Sequence, residues 1–245
     1  MKILISIDDT DDIGTKGTGE ILEDLCTELT QKFNGKFSRV TRHQLLIHED
    51  IKYTSHNSSM CCEGIIEKHQ FEEIKENAAS YLKANSAQNS DPGLCVISCE
   101  DISEAEREKI IDWGIRAKNE VLTKHGAYAL ASGSGIHLSE HGGTGDGIIG
   151  ALAGAGLRLT GHDGRFKGKF DMKTNNGSLS VKEIEESQLI DKVMDEKFNP
   201  LNPEEKVLLG DKIKTVMYDH RSVLLVRKNS DGIWVNLSRK ELKEH

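Results

Sequence analysis

Four of the five positions from 3 to 7 are branched aliphatics (Ile3, Leu4, Ile5, Ile7), and the run stops at Asp8. So short an apolar run, with only Ser6 breaking it, predicts a strand over Lys2–Asp8 buried on both faces. The period then changes. Ile21, Leu22, Leu25, Leu29 and Phe33 recur at helical spacing, so residues 20–33 are expected to be a helix. Residues 39–48 and 61–67 read as further strands, separated by a polar run, 53–59, that suits a site loop better than a regular element. Residues 71–87 have helical composition and 94–98 form a short apolar strand. Residues 103–125 predict one long helix opening on the capping box Ser103-Glu104-Ala105-Glu106. Residues 142–156, GGTGDGIIGALAGAG, predict a glycine-rich turn entering a helix of small residues.

Around residues 160–168 the chain becomes polar and glycine-bearing, which sets a boundary between a domain of residues 1–160 and a smaller one of 161–245. The second segment predicts a strand at 167–172, a helix at 181–187 and a helix or turn at 203–210. Strands at 223–227 and 233–237 follow, joined by the turn Asn229-Ser230-Asp231-Gly232. The expected class is α+β, an α/β N-terminal domain followed by a small α+β unit.

Composition adds constraints to this pattern. The chain has 245 residues, 36% of them apolar, and three prolines, an ordinary globular balance. No stretch approaches the roughly 18 apolar residues of a membrane span, and the N-terminus carries no secretory signal. A cytoplasmic protein with no membrane partner is expected. Five cysteines, an odd number, point to free thiols rather than a disulfide framework. A net charge of −8 argues against broad nonspecific binding to nucleic acid, while leaving room for a local basic groove.

The candidate chemistry begins where the first strand ends. Asp8, Asp9, Asp11 and Asp12 lie within five residues, and carboxylates this crowded repel one another unless a cation or strong donors neutralise them. Magnesium, which favours carboxylate and phosphate oxygens, fits that need, with Asp8 and Asp9 nearest the metal. The competing reading is an acidic turn that caps the next helix. Gly17, Thr18 and Gly19 stand just before that helix, where backbone amides make a phosphate cradle, although the P-loop pattern is absent. Gly143, Gly145 and Gly147 form a second backbone-donor loop, for which tight helix packing is the plainer explanation. The run Tyr53 to Ser59, containing Thr54 and Asn57, offers neutral donors for sugar or phosphate oxygens. His43, His48 and His56 crowd one segment and His137 and His141 another, but none has the spacing of a recognisable zinc site.

Several of these segments together resemble one family, the archaeal 2-agmatinylcytidine synthetases, which use ATP to activate the anticodon cytidine of a minor isoleucine tRNA and attach agmatine. The matching stretches are Ile7-Asp8-Asp9-Thr10-Asp11, Thr54 and Asn57, Asp91-Pro92-Gly93 in place of Asn-Pro-Gly, and Gly145-x-Gly147-x-Ile149-Gly150-Ala151-Leu152-Ala153. The resemblance covers residues 1–160. Beyond them it is carried mainly by Asp219-His220-Arg221-Ser222-Val223-Leu224. It implies a kinase-like first domain in which Asp8, Asp9 and Asp11 bind magnesium and ATP phosphates, with Thr18 as a phosphate-contacting hydroxyl. A ferredoxin-like second domain is also implied.

The chain departs from that pattern at two cations. Ser55-His56-Asn57-Ser58 stands for the family's Arg-Gly-Asn-Gly, and Asp146 stands where the family has Gly-Arg-Gly. The family also continues into an OB-fold and a zinc ribbon, modules that hold single-stranded nucleic acid; without them RNA binding is expected to be weak or to need a partner protein. The resemblance therefore implies an ATP- and magnesium-dependent ligase or kinase-like enzyme, related to tRNA processing. The alternatives are an ATP-dependent kinase or ligase for a small metabolite and a noncatalytic nucleotide-binding protein.

Overall fold

The structure, a computed structural model, describes residues 1–53, 56–132, 134–168, 172, 177–210 and 212–243. The chain divides into two compact units, Met1–Thr160 and Gly161–His245. Both mix strands with helices, and the fold class is α+β. Among the described residues no helix is long and apolar enough to cross a membrane.

In chain order the first unit contains β1 (Lys2–Asp8), α1 (Thr18–Phe33), β2 (Lys36–Phe37), β3 (Thr41–Gln44), β4 (Ser58–Ile65) and α2 (Phe71–Asn85). It continues with β5 (Gly93–Ser98), α3 (Glu104–Arg116), α4 (Lys124–Ala131), β6 (His137–Glu140) and α5 (Gly147–Thr160). Its strands lie in the order β6-β5-β1-β4-β3, each antiparallel to its neighbour, with β2 also paired to β4. The path β1-α1-β3-β4-α2-β5 with β1 between β5 and β4 is the split βαβ, ferredoxin-like order. Ile3, Ile5 and Ile7 pack with α1 and α2 on one face, and Leu4 packs with α3, α4 and α5 on the other. That is why the opening run is apolar throughout.

Small residues let α5 lie directly on the sheet and on α3. A Cβ at Gly154 would stand 2.3 Å from Ser59 Oγ, and one at Gly156 would stand 2.1 Å from the Ile110 carbonyl oxygen. Beneath α5 the polar side chains pair with one another. Ser6 Oγ lies 3.3 Å from Ser59 Oγ, and Ser59 Oγ donates to the Ile7 carbonyl at 3.2 Å. Satisfied hydroxyls of this kind can be buried at little cost, so Ser58 and Ser59 belong to β4 although their composition suggested a loop. The single helix expected over 103–125 is two. α3 stops at Arg116, and Thr123 restarts the chain as α4 by accepting the Gly126 amide on its Oγ1 at 3.2 Å.

The second unit contains β7 (Arg165–Phe166), β8 (Ser178–Ser180), α6 (Val181–Glu186), β9 (Lys192–Asp195), β10 (Lys206–Leu208), β11 (Val216–Tyr218), β12 (Arg221–Lys228) and β13 (Trp234–Asn236). The order is β7-β11-β12-β13-β10-β8, with β9 parallel to β12. Alternate residues of β12 feed two clusters: Leu224 and Val226 join Val181, Ile184 and Val207, while Val223 and Leu225 join Val216 and Leu237. Residues 203–210, read as a helix or turn, carry β10 instead. Of the strand expected over 167–172, residues 169–171 lie outside the described residues. Among its described residues this unit has one α-helix, of six residues.

Candidate functional site

Asp8 ends β1, and strand alternation puts it on the same face as Leu4 and Ser6, beneath α5. The contact is close. A Cβ at Gly150 would fall 1.6 Å from Asp8 Oδ2, so with the carboxylate in this position the missing Cβ lets the first turn of α5 rest on it. At Asp9 the chain leaves the sheet through a left-handed backbone, φ 50°, a conformation in which Asp is one of the better tolerated residues. The Asp9 amide donates to Asp8 Oδ1 at 3.0 Å.

These surroundings favour the neutral acids. Burial first, and then the charge of Asp9, pushes the Asp8 carboxyl up to about 8, with Asp11 adding to it and the Asp9 amide pulling the other way. Burial followed by the charges of Asp91 and Asp11 raises Asp9 to about 6. Both shifts come first from desolvation and then from carboxylates held close together.

Asp11 and Asp12 are engaged differently. Thr18 Oγ1 donates to Asp11 Oδ1 at 2.8 Å, and the Gly17 amide donates to Glu20 Oε2 at 3.1 Å. Two carboxylates therefore attend the start of α1, where Gly17, Thr18 and Gly19 were expected to cradle phosphate. Asp12 closes its own turn, its Oδ1 accepting the Ile13 amide at 2.7 Å and its Oδ2 accepting Asn89 Nδ2 at 3.3 Å. The second half of the acidic run thus ties the turn before α1, while the amide of that helix's N-cap, Gly17, is met by Glu20.

The loop 142–147 enters α5 beside Asp8. Asp91 latches it: the Thr144 amide donates to Asp91 Oδ1, and Thr144 Oγ1 lies 3.0 Å from Asp91 Oδ2 and 2.9 Å from Asp146 Oδ2. On the other side Lys124 Nζ donates to the Thr144 carbonyl at 2.6 Å and to Glu140 Oε2 at 3.2 Å, while Tyr128 OH donates to Glu140 Oε1 at 2.6 Å. The Tyr128 hydroxyl, followed by Lys124, holds the Glu140 carboxyl below its usual range against the effect of burial. Gly143 and Gly145 both have positive φ, 54° and 79°.

Asp8, Asp9, Asp11 and Gly147 thus gather at one end of the β1-β4-β5 sheet, joined by Gly143 and Gly145 through Asp91. Asn57 directly precedes β4, and its Nδ2 donates to the Leu46 carbonyl at 2.6 Å, a loop-holding role. Thr54 lies outside the described residues. Sequence reasoning did not single out Lys124, Tyr128 or Glu140 and quoted Asp91 only within a motif. The cap Thr123-x-x-Gly126 was the one local signal for the helix that carries Lys124. All five cysteines are free thiols.

Among the described residues no three His, Cys, Asp or Glu side chains are arranged to hold an ion by themselves. Magnesium does not require such a set, since it is commonly held by one or two carboxylates plus phosphate and water oxygens. The donors here are all hard oxygens, and after burial, charges of one sign raise both Asp8 and Asp9. The residues present therefore fit a magnesium–polyphosphate group.

Among solved structures the fold is similar to that of TiaS. Apo TiaS, a tRNA agmatidine synthetase, has a TM-score of 0.54 and 19% identity, covering 64% of this chain and 35% of that one. A TiaS complex with tRNA and ATP has a TM-score of 0.55 and 20% identity over 64% and 36% of the two chains. A further complex with tRNA, AMPCPP and agmatine has 0.53 and 15% over 89% and 52%. The chain therefore spans about a third to a half of the length of these proteins. No protein-family model and no curated protein sequence matches it.

Proposed function

We propose that the chain is an ATP- and magnesium-dependent enzyme with a kinase-like nucleotide domain over residues 1–160, acting in RNA modification as a relative of tRNA cytidine–agmatine ligases. The observation that carries this reading is the seating of the first turn of α5 on the Asp8 carboxylate, 1.6 Å from where a Gly150 Cβ would stand. It joins the acidic strand end to the glycine loop, two motifs well separated in sequence. The solved TiaS complexes with tRNA and ATP, similar in fold, support the choice of nucleotide and of substrate class.

In this reading Asp8 and Asp9 hold magnesium, with Asp11 completing the acidic edge, and the amides of Gly143, Gly145 and Gly147 orient the phosphates. Bound magnesium would offset the charge that develops on a transferring phosphoryl group. Thr18 keeps its hydroxyl beside Asp11, at 2.8 Å, as the phosphate-contacting group at the start of α1. The chain's own work is to position the phosphates and to exclude water beneath α5.

A second reading, a kinase or ligase for a small metabolite, is favoured by the net charge of −8. ATP consumption, measured with tRNA added and again after exhaustive RNase treatment with small amines and alcohols as acceptors, separates the two. RNA-stimulated turnover is expected. Turnover that survives RNase with a small acceptor transfers the assignment to the second reading, and magnesium-dependent ATP binding without turnover in either arm leaves a noncatalytic nucleotide-binding protein.

A further inference from the structure

The Glu140 carboxylate sits where a ligand anion would be expected. It lies on the backbone of the glycine loop, its Oε2 being 1.8 Å from where a Cβ of Gly145 would stand. One oxygen accepts from Lys124 Nζ at 3.2 Å and the other from Tyr128 OH at 2.6 Å. An ammonium has three donors, and the other acceptor described for Lys124 is the Thr144 carbonyl in the same loop, at 2.6 Å. Among the described hydrogen bonds, Lys124 is the cation that reaches residues 142–147. Lysine is a flexible point charge suited to phosphate.

We propose that Lys124 and Tyr128 form an anion pocket over the loop 142–147 that Glu140 fills in this structure, and that the phosphate chain of the nucleotide displaces Glu140 to bind there. The assignment rests on the nucleotide reading above and adds the residues that grip the phosphates. It makes Glu140 a competitor for the pocket. A purely structural latch would need Lys124 and Glu140 equally.

The test is calorimetric titration of the full chain with magnesium tripolyphosphate, magnesium-ATP and adenosine, alongside Lys124→Met, Lys124→Ala, Tyr128→Phe and Glu140→Gln. Thermal unfolding of each variant serves as the check on folding. Lys124→Met and Lys124→Ala are expected to weaken both phosphate probes about tenfold, the size of one charge-assisted hydrogen bond, and to leave adenosine unchanged. Tyr128→Phe weakens them less, and Glu140→Gln tightens both. Two results overturn the pocket while leaving the nucleotide reading intact: wild type and Lys124→Met binding the phosphate probes equally, or Glu140→Gln weakening them as much as Lys124→Met does. If wild type binds neither phosphate probe, the nucleotide reading fails and the pocket fails with it.

Discussion

Gly93→Ala is expected to destabilise the first unit by about 3 kcal/mol, the upper part of the usual range for overpacking. An added Cβ would stand 2.1 Å from the Gly147 carbonyl carbon and 2.2 Å from the Ile148 nitrogen. These are backbone atoms at the start of α5, and they cannot swing aside as a side chain would. Either β5 or the helix start must shift, and the start of α5 is what rests on Asp8. Urea unfolding of wild type and variant measures the loss. Gly150→Ala provides the contrast: its nearest neighbour is the Asp8 carboxylate, at 1.6 Å, which can rotate away. That substitution should cost less stability and more magnesium-ATP affinity. If Gly93→Ala unfolds at the same urea concentration as wild type, the close packing of β5 against α5 is wrong.

The second large effect concerns pH. In protein stripped of divalent cations, burial and the neighbouring acids push the folded Asp8 carboxyl up to about 8 from the ordinary 3.8, so the folded state keeps a proton that the unfolded chain releases. Where the folded state binds more protons, stability falls as pH rises, by about 1.4 kcal/mol per pH unit for one group. The loss begins near pH 4, grows towards pH 8 and then levels off. Asp9, raised to about 6, contributes in the same direction over a shorter span. His137 and His141, both lowered by burial, act in the opposite sense, so the net curve of wild type alone does not isolate the effect. The comparison with Asp8→Asn does. In EDTA the variant is expected to match wild type near pH 4 and to exceed it by roughly 2 kcal/mol or more at pH 8. A difference that does not change between those pH values contradicts the crowded, partly buried setting of Asp8. Magnesium should favour wild type at pH 8, since an ion bound only by the native state adds to its stability.

Those two expectations depend on parts of the sequence that differ in how openly they show their structure. β1 was legible because burial on both faces demands an apolar run, and α5 because a helix pressed on a sheet and on α3 demands small residues at the contacts. The strand character of Ser58 and Ser59 was hidden, since hydroxyls paired with Ser6 and the Ile7 carbonyl look the same in sequence as hydroxyls facing water. β6 was hidden in the same way: His137, Ser139 and Glu140 are polar, and among the described residues β6 pairs with β5 alone, so no second neighbour requires otherwise. The break between α3 and α4 depends on a cap at Thr123 inside a stretch whose composition is helical throughout.

The candidate site shows the same division. The acidic run and the glycine loop were visible as motifs, but their meeting depends on the register of β1 and on one missing Cβ at Gly150. The roles within the run were not visible at all. Asp11 accepts from Thr18 at 2.8 Å and Asp12 ties its own turn to Asn89, which separates them from Asp8 and Asp9. Lys124, Tyr128 and Glu140 come from α4 and β6, elements the pattern of apolar residues did not reveal, so a cation at the loop was not foreseen.

In the proposed reading Asp8 and Asp9 hold magnesium against the phosphates of ATP at the start of α5. Calorimetric titration of ATP, with and without magnesium, into wild type and the double variant Asp8→Asn/Asp9→Asn decides this. Wild type is expected to bind magnesium-ATP, and the double variant to bind it about a hundredfold more weakly, with the difference largely gone when magnesium is withheld. A double variant that binds magnesium-ATP as tightly as wild type would contradict the account.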